Sequence, residues 1–518
     1  MLDTSCVDRG GVHRILIVGG GTAGWMAAAS LSNHFRGKDC AICVVESDLI
    51  SPTGVGEATI PTIRGFNSLL GIDERDFIEK TDATFKLGIN FEDWLDDGHS
   101  FFHPFSSYGK RFKGIDFHQI WSRGGIAGID LPLSEYCLAV KMAKLMKFTQ
   151  PRSELGDFGY AFHFDANKYA TYLRDYSLAL GVTRIKGHVL NADVNHEGFI
   201  QSLNVDIDSA ESETKLAKLK ASEILDKGLL HADLFVDCSG FKGLLINKLQ
   251  RKSYLDWSHW LPCDSAVAIR SKGDAVLRPF TRSIASSSGW QWQIPLRNRT
   301  GNGYVYSGSH ESREDAENRL LTHIGDDVLS EPKHFSFKAG MQSEFWVNNC
   351  VAVGLSSGFL EPLESTSIAL IQSGLSKLLT FFPDKNWNQC DINEANRQQQ
   401  IENERIRDFL ILHYCLSKRK DTDFWRDITS IVIPDTLQHK VDVFKSKGYL
   451  VCYDQEPFER ASWLSVLTGM GVQQSGIDSR ANGLSDAEVS AFLSVTSSKV
   501  AAQIERVPLH KDFLRMNF

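Results

Sequence analysis

The most constraining feature of this sequence is a strand, a glycine-rich turn, a helix and a second strand in unbroken order between residues 14 and 46. Residues 15–18 are apolar and β-rich, as expected of a strand that is buried on both faces of a parallel sheet. Residues 22–31 are small and predict a helix. Residues 41–45 predict the second strand, which ends at Glu46. Such a unit predicts an α/β fold with a dinucleotide site at the end of its first strand.

The spacing of the glycines identifies the binding residues of that site. The turn reads G-x-G-x-x-G, in which glycines permit a tight turn, close approach to a pyrophosphate and close packing of helix on strand. The positive end of the helix faces the phosphates, and Glu46 can accept a hydrogen bond from a ribose hydroxyl. An ordinary strand–turn–helix would need no acid at the second strand. We therefore predict cofactor contacts from Glu46 and from the turn residues Gly19, Gly21, Thr22, Ala23 and Gly24.

Composition excludes several other classes of protein. The chain has 518 residues, of which 42% are hydrophobic and 23% charged, as in globular proteins. Its net charge of −8 provides no general attraction to nucleic acid or to an anionic membrane. Cys40 and Cys43 form a lone C-x-x-C in or beside a predicted strand, which favours a packing role and no metal site. Residues 1–12 have no apolar signal core and no long apolar run follows, so we expect a cytoplasmic protein.

One lysine lies in an alternating segment. Residues 84–94 predict a single strand, with the apolar members on one face and Lys86 on the other. A lysine on such a strand usually faces solvent. The alternative is that Lys86 lies on the wall of an internal polar channel, and alternation alone does not choose between the two.

Two later segments are also candidates for the functional site. In residues 289–295, Trp290, Trp292 and Ile294 share one face of a predicted strand and form either core or a rigid wall between two compartments. Residues 351–353 predict a strand, followed by a loop and a helix at residues 367–381.

The start of that second helix has a natural N-cap in Ser365 or Thr366. The backbone N–H groups at this helix start would attract either a carbonyl oxygen as a hydrogen-bond acceptor or a halide as an anion. Glu364 lies beside them, as a partner of the helix dipole or as a functional carboxylate.

Taken together, five motifs resemble those of flavin-dependent halogenases of the tryptophan halogenase family. The motifs are the glycine turn, G-V-G-E-A-T at residues 54–59, the lysine of Phe85-Lys86, W-x-W-x-I-P at residues 290–295 and P-L-E-S-T at residues 362–366. Residues 407–414 also resemble the C-terminal module of the family. The resemblance spans at least residues 14–425, and the lysine combined with W-x-W-x-I-P is specific because flavin hydroxylases lack the pair.

The resemblance implies a fold and a division of the chain. The fold is an α/β, two-dinucleotide-binding-type FAD fold, similar to flavin monooxygenases, with a mostly helical C-terminal substrate module. Residues 10–382 would form the FAD-binding module, with an aromatic-rich insertion at about 97–157 that is suited to lining a pocket for a flat ligand. Residues 383–518 would form the helical substrate-binding module, and a homodimer is possible on this basis.

The same resemblance implies the chemistry. FADH2 from a separate NAD(P)H-dependent flavin reductase would react with O2 and a halide co-substrate to give hypohalous acid. That acid would move through a tunnel to Lys86 and be held there by a hydrogen bond or as a haloamine. Glu364 would orient the oxidant or take up a proton, and Trp290 and Trp292 would keep the substrate from the flavin. The rivals are a flavin monooxygenase that hydroxylates an aromatic substrate, and a non-catalytic flavin-binding protein.

Further contacts are carried over from the family motifs. Thr366 and Ser367 would bind the halide, and no metal is expected. Additional cofactor contacts are implied at Gly56, Glu57, Ala58, Val189, Asp237, Leu355 and Ile368.

Two departures from the family pattern bear on specificity. Tryptophan halogenases usually have glycine where Ser367 stands, and a serine there restricts φ and adds a hydroxyl, so we expect bromide over chloride. The tyrosine-rich segment that grips the backbone of free tryptophan is not evident in residues 458–471. Indole or an indole derivative is therefore a better substrate prediction than free tryptophan, and a carrier-tethered or peptide substrate stays open.

Overall fold

The computed structural model describes residues 11–47, 57–151, 158–249 and 253–518. Its strands are β1 (Arg14–Val18), β2 (Ala41–Glu46), β3 (Glu57–Ala58), β4 (Thr84–Lys86), β5 (Gly88–Glu92), β6 (Ser100–Pro104), β7 (Ala161–Phe164), β8 (Thr183–Val194), β9 (Ile200–Ile207), β10 (Leu225–Asp226), β11 (Leu229–Leu230), β12 (Leu234–Asp237), β13 (Leu255–Asp256), β14 (Ser265–Lys272), β15 (Thr281–Ser286), β16 (Gly289–Pro295), β17 (Arg299–Tyr306), β18 (Lys333–Ser336), β19 (Gly340–Met341), β20 (Trp346–Val347), β21 (Cys350–Ala352) and β22 (Gly358–Phe359). Its α-helices are α1 (Thr22–His34), α2 (Thr62–Leu69), α3 (Glu74–Thr81), α4 (Phe117–Ile126), α5 (Leu138–Lys144), α6 (Ala166–Ala179), α7 (Glu213–Ala221), α8 (Ile246–Leu249), α9 (Arg313–Ile324), α10 (Ser367–Thr380), α11 (Gln389–Cys415), α12 (Asp423–Ile428), α13 (Asp435–Lys447), α14 (Arg460–Gly469), α15 (Ser479–Asn482), α16 (Asp486–Glu505) and α17 (His510–Asn517).

A nine-stranded sheet contains the predicted dinucleotide unit. Its order is β10-β11-β9-β8-β2-β1-β12-β21-β20, and β1 pairs in parallel with both β2 and β12. Alternate residues of β1 enter two cores, Ile15 and Ile17 on one face and Leu16 and Val18 on the other. Burial on both faces explains the continuous apolar run. Cys43 is likewise buried in a core as a free thiol, in agreement with its predicted packing role.

A seven-stranded sheet contains both tryptophans of the W-x-W motif. Its order is β18-β14-β17-β16-β15-β5-β6, which places β16 between two antiparallel neighbours. Gly303 on β17 lies under one of the indoles, and a Cβ atom there would come within 2.0 Å of the Trp292 ring. The glycine thus lets the indole lie close to the sheet.

The prediction of one strand over residues 84–94 is wrong. The segment forms two strands in different sheets: β4 belongs to a three-stranded sheet of order β3-β7-β4, and β5 belongs to the seven-stranded sheet. Leu87 separates them, because its N–H donates to the carbonyl of Pro279 (2.7 Å) and its carbonyl accepts from Phe105 (2.9 Å). Both faces of the segment meet protein, and Lys86 is 0% exposed.

The last third of the chain is mostly helical, as predicted. Helix α11 has 27 residues and is capped by the side chain of Asn388. Helix α14 packs on β6 and α16 packs on α4, so this region shares one hydrophobic core with the first module. The predicted boundary near residue 383 is thus a change of secondary structure within a continuous core. Within the described ranges, no helix is long and apolar enough to cross a membrane.

Candidate active site

A cavity of about 620 Å³ lies at the carboxyl end of β1. Its lining comes from the glycine turn, the start of α1, the strand β16 and the turn that precedes α10. Ligands of open α/β sheets bind at this end of the strands. The predicted site residues that line the cavity are Gly19, Gly21, Thr22, Ala23, Glu46, Ala58, Trp290, Trp292, Leu355, Ser367 and Ile368.

The three glycines of the turn have different tasks. Gly19 has φ of +114°, and a Cβ atom there would lie 2.3 Å from the carbonyl oxygen of Cys238. A Cβ atom on Gly24 would lie 1.8 Å from the carbonyl oxygen of Gly19, so this glycine serves the packing of helix on strand and does not line the cavity. At Gly21 a Cβ atom would meet nothing within 4 Å in the described part of the chain. Open space therefore faces the start of α1, where a phosphate would bind.

Glu46 is fixed by a partner that the sequence did not indicate. Nε of Arg184 on β8 donates to Oε1 of Glu46 at 2.5 Å. A Cβ atom on Gly20 would lie 1.7 Å from Oε2 of Glu46, so the carboxylate lies directly against the glycine turn. Glu46 also lines the cavity, as expected of an acid that accepts a hydrogen bond from a ribose hydroxyl in a dinucleotide fold.

Asp237 acts on the cavity indirectly. Its carboxylate accepts hydrogen bonds from the backbone and hydroxyl of Ser239 (2.9 and 2.6 Å) and from the backbone N–H groups of Leu245 and Ile246 (2.8 and 2.9 Å). These bonds hold residues 238–246, of which residues 238–241 line the cavity, whereas Asp237 does not. Asp237 therefore shapes the rim of the cavity.

Three other predicted cofactor residues lie elsewhere or are not described. Val189 is part of β8 and does not line the cavity. Gly56 lies outside the described residues. Glu57 begins β3, and only its backbone is described.

Trp290 and Trp292 form a buried pair on β16, which we call the tryptophan wall. Their ring centroids are 6.0 Å apart with an angle of 54° between the planes. Both indoles line the cavity. Nε1 of Trp290 donates to Oε2 of Glu361 at 2.6 Å. Nε1 of Trp292 is buried and has no hydrogen-bond partner among the described residues.

Lys86 lies directly behind the cavity lining. Its Nζ donates to the hydroxyl of Ser365 (2.8 Å) and to the carbonyl of Thr59 (3.0 Å), and lies 5.1 Å from the centroid of the Phe105 ring. Ser365 lines the cavity, so one hydroxyl separates the amine from the cavity space. Burial lowers the pKa of Lys86 to about 7, although the charge of Glu364 opposes this shift. Near neutral pH the amine is therefore available both as a base and as a donor.

Glu364 is a fully buried carboxylate between two buried histidines. Nδ1 of His103 lies 2.9 Å from Oε2 of Glu364, and Nε2 of His413 lies 3.0 Å from Oε1 without the alignment of a hydrogen bond. Nδ1 of His413 donates to the carbonyl of Phe409 at 2.8 Å. Burial raises the pKa of Glu364, but the two histidines outweigh it and bring the pKa to about 2. Glu364 is therefore an anion in the resting site.

The start of α10 has the features expected of an anion site. Thr366 occupies the N-cap position, but its side chain caps no backbone N–H and its Oγ1 is buried without a partner among the described residues. Ser365 has φ of +61° and its hydroxyl faces Lys86, so it is not the cap. Ser367 opens the helix and lines the cavity.

These features fit a dinucleotide and an anion. The cavity meets a helix start at the glycine turn and a second helix start at Ser367. The buried Nε1 of Trp292 can only donate, so it requires an acceptor such as a carbonyl oxygen or an anion. Buried polar atoms without partners are rare because they cost free energy. Ligands that supply these partners would remove that cost.

Sequence reasoning missed several of these residues. His103 lies in the predicted aromatic-rich insertion and His413 lies in residues 407–414, and the local sequence does not distinguish either histidine from its neighbours. Arg184 and Glu361 gave no local signal, because their partners are remote in the sequence.

The similarity of this chain to known proteins extends over most of its length. The family profile described as Tryptophan halogenase matches residues 14–486. A tryptophan 6-halogenase, SttH of Streptomyces toxytricini, is 33% identical over 88% of this chain and 89% of its own length.

Two solved structures share the whole architecture. BrvH, a flavin-dependent halogenase from Brevundimonas sp. BAL3, is 42% identical with a TM-score of 0.90, covering 98% of this chain and 99% of its own. Xcc4156, a flavin-dependent halogenase from Xanthomonas campestris, is 39% identical with a TM-score of 0.91, covering 98% of both chains. The predicted fold class, a flavin-type α/β fold with a helical C-terminal region, is thereby confirmed.

Proposed function

The chain belongs to the tryptophan halogenase family of flavin-dependent enzymes that halogenate aromatic substrates, and we propose that it halogenates indole or an indole derivative with FADH2, O2 and a halide ion. The overall substitution is ArH + HOX → ArX + H2O, where HOX is hypohalous acid. The ring loses a proton and gains the halogen, and the oxidant leaves as water.

In this proposal the glycine turn and Glu46 hold FAD, with the pyrophosphate at the start of α1. Bound FAD, reduced by a separate NAD(P)H-dependent reductase, supplies the two electrons with which O2 and halide give hypohalous acid. The halide binds at the start of α10, where Thr366 and Ser367 offer hydroxyls and backbone N–H groups. Ala58, Leu355 and Ile368 line the same space.

Lys86 carries the proposal. It is fully buried and one hydroxyl separates its amine from the cavity, which supports a role as the group that stops a diffusing oxidant. With a pKa of about 7, part of the Lys86 population is neutral and nucleophilic at neutral pH, and the remainder can donate a hydrogen bond. Both a haloamine and a hydrogen-bonded oxidant are compatible with this state.

We assign to Glu364 the role of accepting the proton that the halogenated ring loses. Halogen addition to an arene leaves a positive ring that must lose a proton, and a buried anion both stabilises that charge and accepts the proton. The pKa of about 2 keeps Glu364 ionised over the working range of pH. His103 and His413 hold it in place.

The tryptophan wall favours halogenation over hydroxylation. In this proposal the two buried indoles keep an aromatic substrate from the cavity, and a small oxidant passes Ser365 to reach Lys86. A flavin hydroxylase would instead need the substrate inside the cavity and would have no use for a buried lysine.

Halide and substrate choice follow the two departures from the family pattern. Ser367 lines the cavity at the halide turn, and we propose that its hydroxyl and restricted backbone favour bromide over chloride. Residues 458–471 lack the tyrosine-rich grip for an amino acid backbone, which supports a substrate without one. We also propose that residues 10–382 and 383–518 form the FAD-binding and substrate-binding modules, and that a homodimer forms.

The test is a product assay. The protein is supplied with FAD, a flavin reductase, NADH and indole, with bromide or chloride, and the products are read by mass spectrometry. We expect bromoindole in excess of chloroindole, and no halogenated product from Lys86→Ala. Lys80→Ala, which removes an exposed lysine paired with Asp76, is the matched control and should keep full activity. Oxygenated indole without halogen would contradict the proposal.

A further inference from the structure

Glu361 is a second buried carboxylate in the turn that carries Glu364, and the proposed mechanism does not use it. It is 2% exposed. Its Oε2 accepts two hydrogen bonds, from Nε1 of Trp290 (2.6 Å) and from the hydroxyl of Tyr414 (2.7 Å). Its Oε1 has no hydrogen-bond partner among the described residues. A buried carboxylate held in this manner calls for a functional explanation.

The position of Glu361 is behind the tryptophan wall. Its chain neighbours Leu360 and Pro362 line the cavity, whereas Glu361 does not. Its two donors come from β16 and from α11, so one carboxylate oxygen joins the wall strand to the C-terminal helix. A further titratable group near this junction is the thiol of Cys263, whose Sγ lies 3.8 Å from the hydroxyl of Tyr414.

Glu361 can accept both hydrogen bonds whether its carboxyl group is ionised or protonated. Burial raises the pKa of Glu361 to about 7, although the hydrogen bonds from Trp290 and Tyr414 act in the opposite direction. Oε2 can accept from both donors whether the group is ionised or protonated at Oε1. The junction therefore persists on both sides of neutral pH.

We propose that Glu361 is a positioning residue that fixes the indole of Trp290 and so keeps the tryptophan wall closed. Packing restrains the plane of a buried indole, and a short hydrogen bond to a carboxylate additionally fixes the position of its polar edge. The backbone of Trp290 is held by β16, and the Nε1 edge of its indole is held by Glu361. The role of Glu361 in positioning Trp290 does not depend on the proposed function. Only the expected effect on activity, which is the loss of oxidant or substrate through the wall, rests on that function.

The activity test measures coupling, the halogenated indole formed per O2 consumed, together with hypohalous acid captured by a trapping reagent. Glu361→Gln keeps an acceptor oxygen and should retain coupling near that of the wild type. Glu361→Met removes the acceptor and should lower coupling by up to about fivefold, the change in the equilibrium between closed and open wall for the loss of the hydrogen bond from Trp290. Trp290→Phe removes the donor and also part of the wall, so it should lower coupling at least as much as Glu361→Met. The double variant should be no worse than Trp290→Phe alone.

A second test requires no turnover. In protein labelled with 15N-tryptophan, the indole N–H resonance of Trp290, assigned by its absence in Trp290→Phe, should lie downfield and shift with pH around 7. In Glu361→Gln the resonance should stay hydrogen-bonded and lose its pH dependence, and in Glu361→Met it should move upfield. Tyr414→Phe is the matched control: it removes the other donor and should leave the resonance hydrogen-bonded.

Two results would overturn the inference. One is wild-type coupling in Glu361→Met when its unfolding temperature shows that it is folded. The other is a Trp290 resonance that is the same in the wild type and in Glu361→Met. If the wild-type protein forms no halogenated product, the proposed function fails, while the resonance test still decides whether Glu361 positions Trp290.

Discussion

Replacing Lys86 by methionine should stabilise the folded protein near neutral pH. Methionine has about the length and volume of the lysine stem, so the substitution leaves the packing nearly unchanged. What it removes is an amine that is 0% exposed. Because burial lowers the pKa of Lys86 from 10.5 to about 7, the folded state opposes protonation and the unfolded state does not.

The magnitude follows from proton linkage. A shift of this size makes the buried amine cost about 4 kcal/mol of folding free energy at pH 7, at 1.36 kcal/mol for each pKa unit. Loss of the donor to Thr59 and Ser365 offsets about 2 kcal/mol of the gain. Lys86→Met should therefore be more stable than the wild type by about 2 kcal/mol at pH 7.

The stability difference between Lys86→Met and the wild type should change sign at higher pH. Between pH 7 and 10.5 the unfolded chain binds a proton at Lys86 that the folded chain does not, so the wild type gains stability as the pH rises. The stability gained by Lys86→Met over the wild type should shrink by about 1.4 kcal/mol per pH unit and vanish at about pH 9.

Urea unfolding, followed by tryptophan fluorescence at pH 7 and at pH 10, measures both effects. Lys80→Met, at an exposed lysine paired with Asp76, is the control and should differ from the wild type by the same small amount at both pH values. A Lys86→Met variant that is less stable at pH 7, or whose difference from the wild type is constant with pH, would refute the reasoning.

Three further predictions concern the chemistry. Glu364→Gln should lower the rate of halogenation by about 10²- to 10⁴-fold, the usual contribution of an acid–base group, while halide-dependent O2 consumption continues; an unchanged product rate would exclude Glu364 as the base. His413→Phe removes one of the two histidines that hold the pKa of Glu364 at about 2, so the acid limb of the halogenation pH profile should move toward neutral pH, and an unmoved limb would contradict this role. Ser367→Gly should raise the ratio of chlorinated to brominated product when both halides compete, and an unchanged ratio would remove Ser367 from halide selection.

The part of the fold that could be predicted from sequence is the part that is encoded locally. Strand β1, the glycine turn, α1 and β2 follow one another within residues 14–46, and each contributes its own pattern of residue types. The helix beginning at Ser367 was located for the same reason. The W-x-W strand was also correct, because alternation and a closing proline are properties of adjacent residues.

The electrostatics of the site could not be predicted in this way. Alternation around Lys86 is identical whether its face meets water or another layer of protein, and only the pairing of β4 with β7 decides the matter. His103 and Glu364 are 261 residues apart in sequence, and Glu46 and Arg184 are 138 apart. No local pattern reports such partners, because they are brought together by the packing of sheets and helices.

Adjacent residues of α11 contact both carboxylates of one turn: His413 meets Glu364 and Tyr414 meets Glu361. The helix that begins the proposed substrate module therefore also contributes to the proposed reaction centre. Chimeras that import this helical region from a relative in order to accept a new substrate would replace both contacts at once. Such grafts should recover activity only when the imported helix brings a histidine–tyrosine pair in the same register, which gives protein engineers a simple criterion for choosing donors.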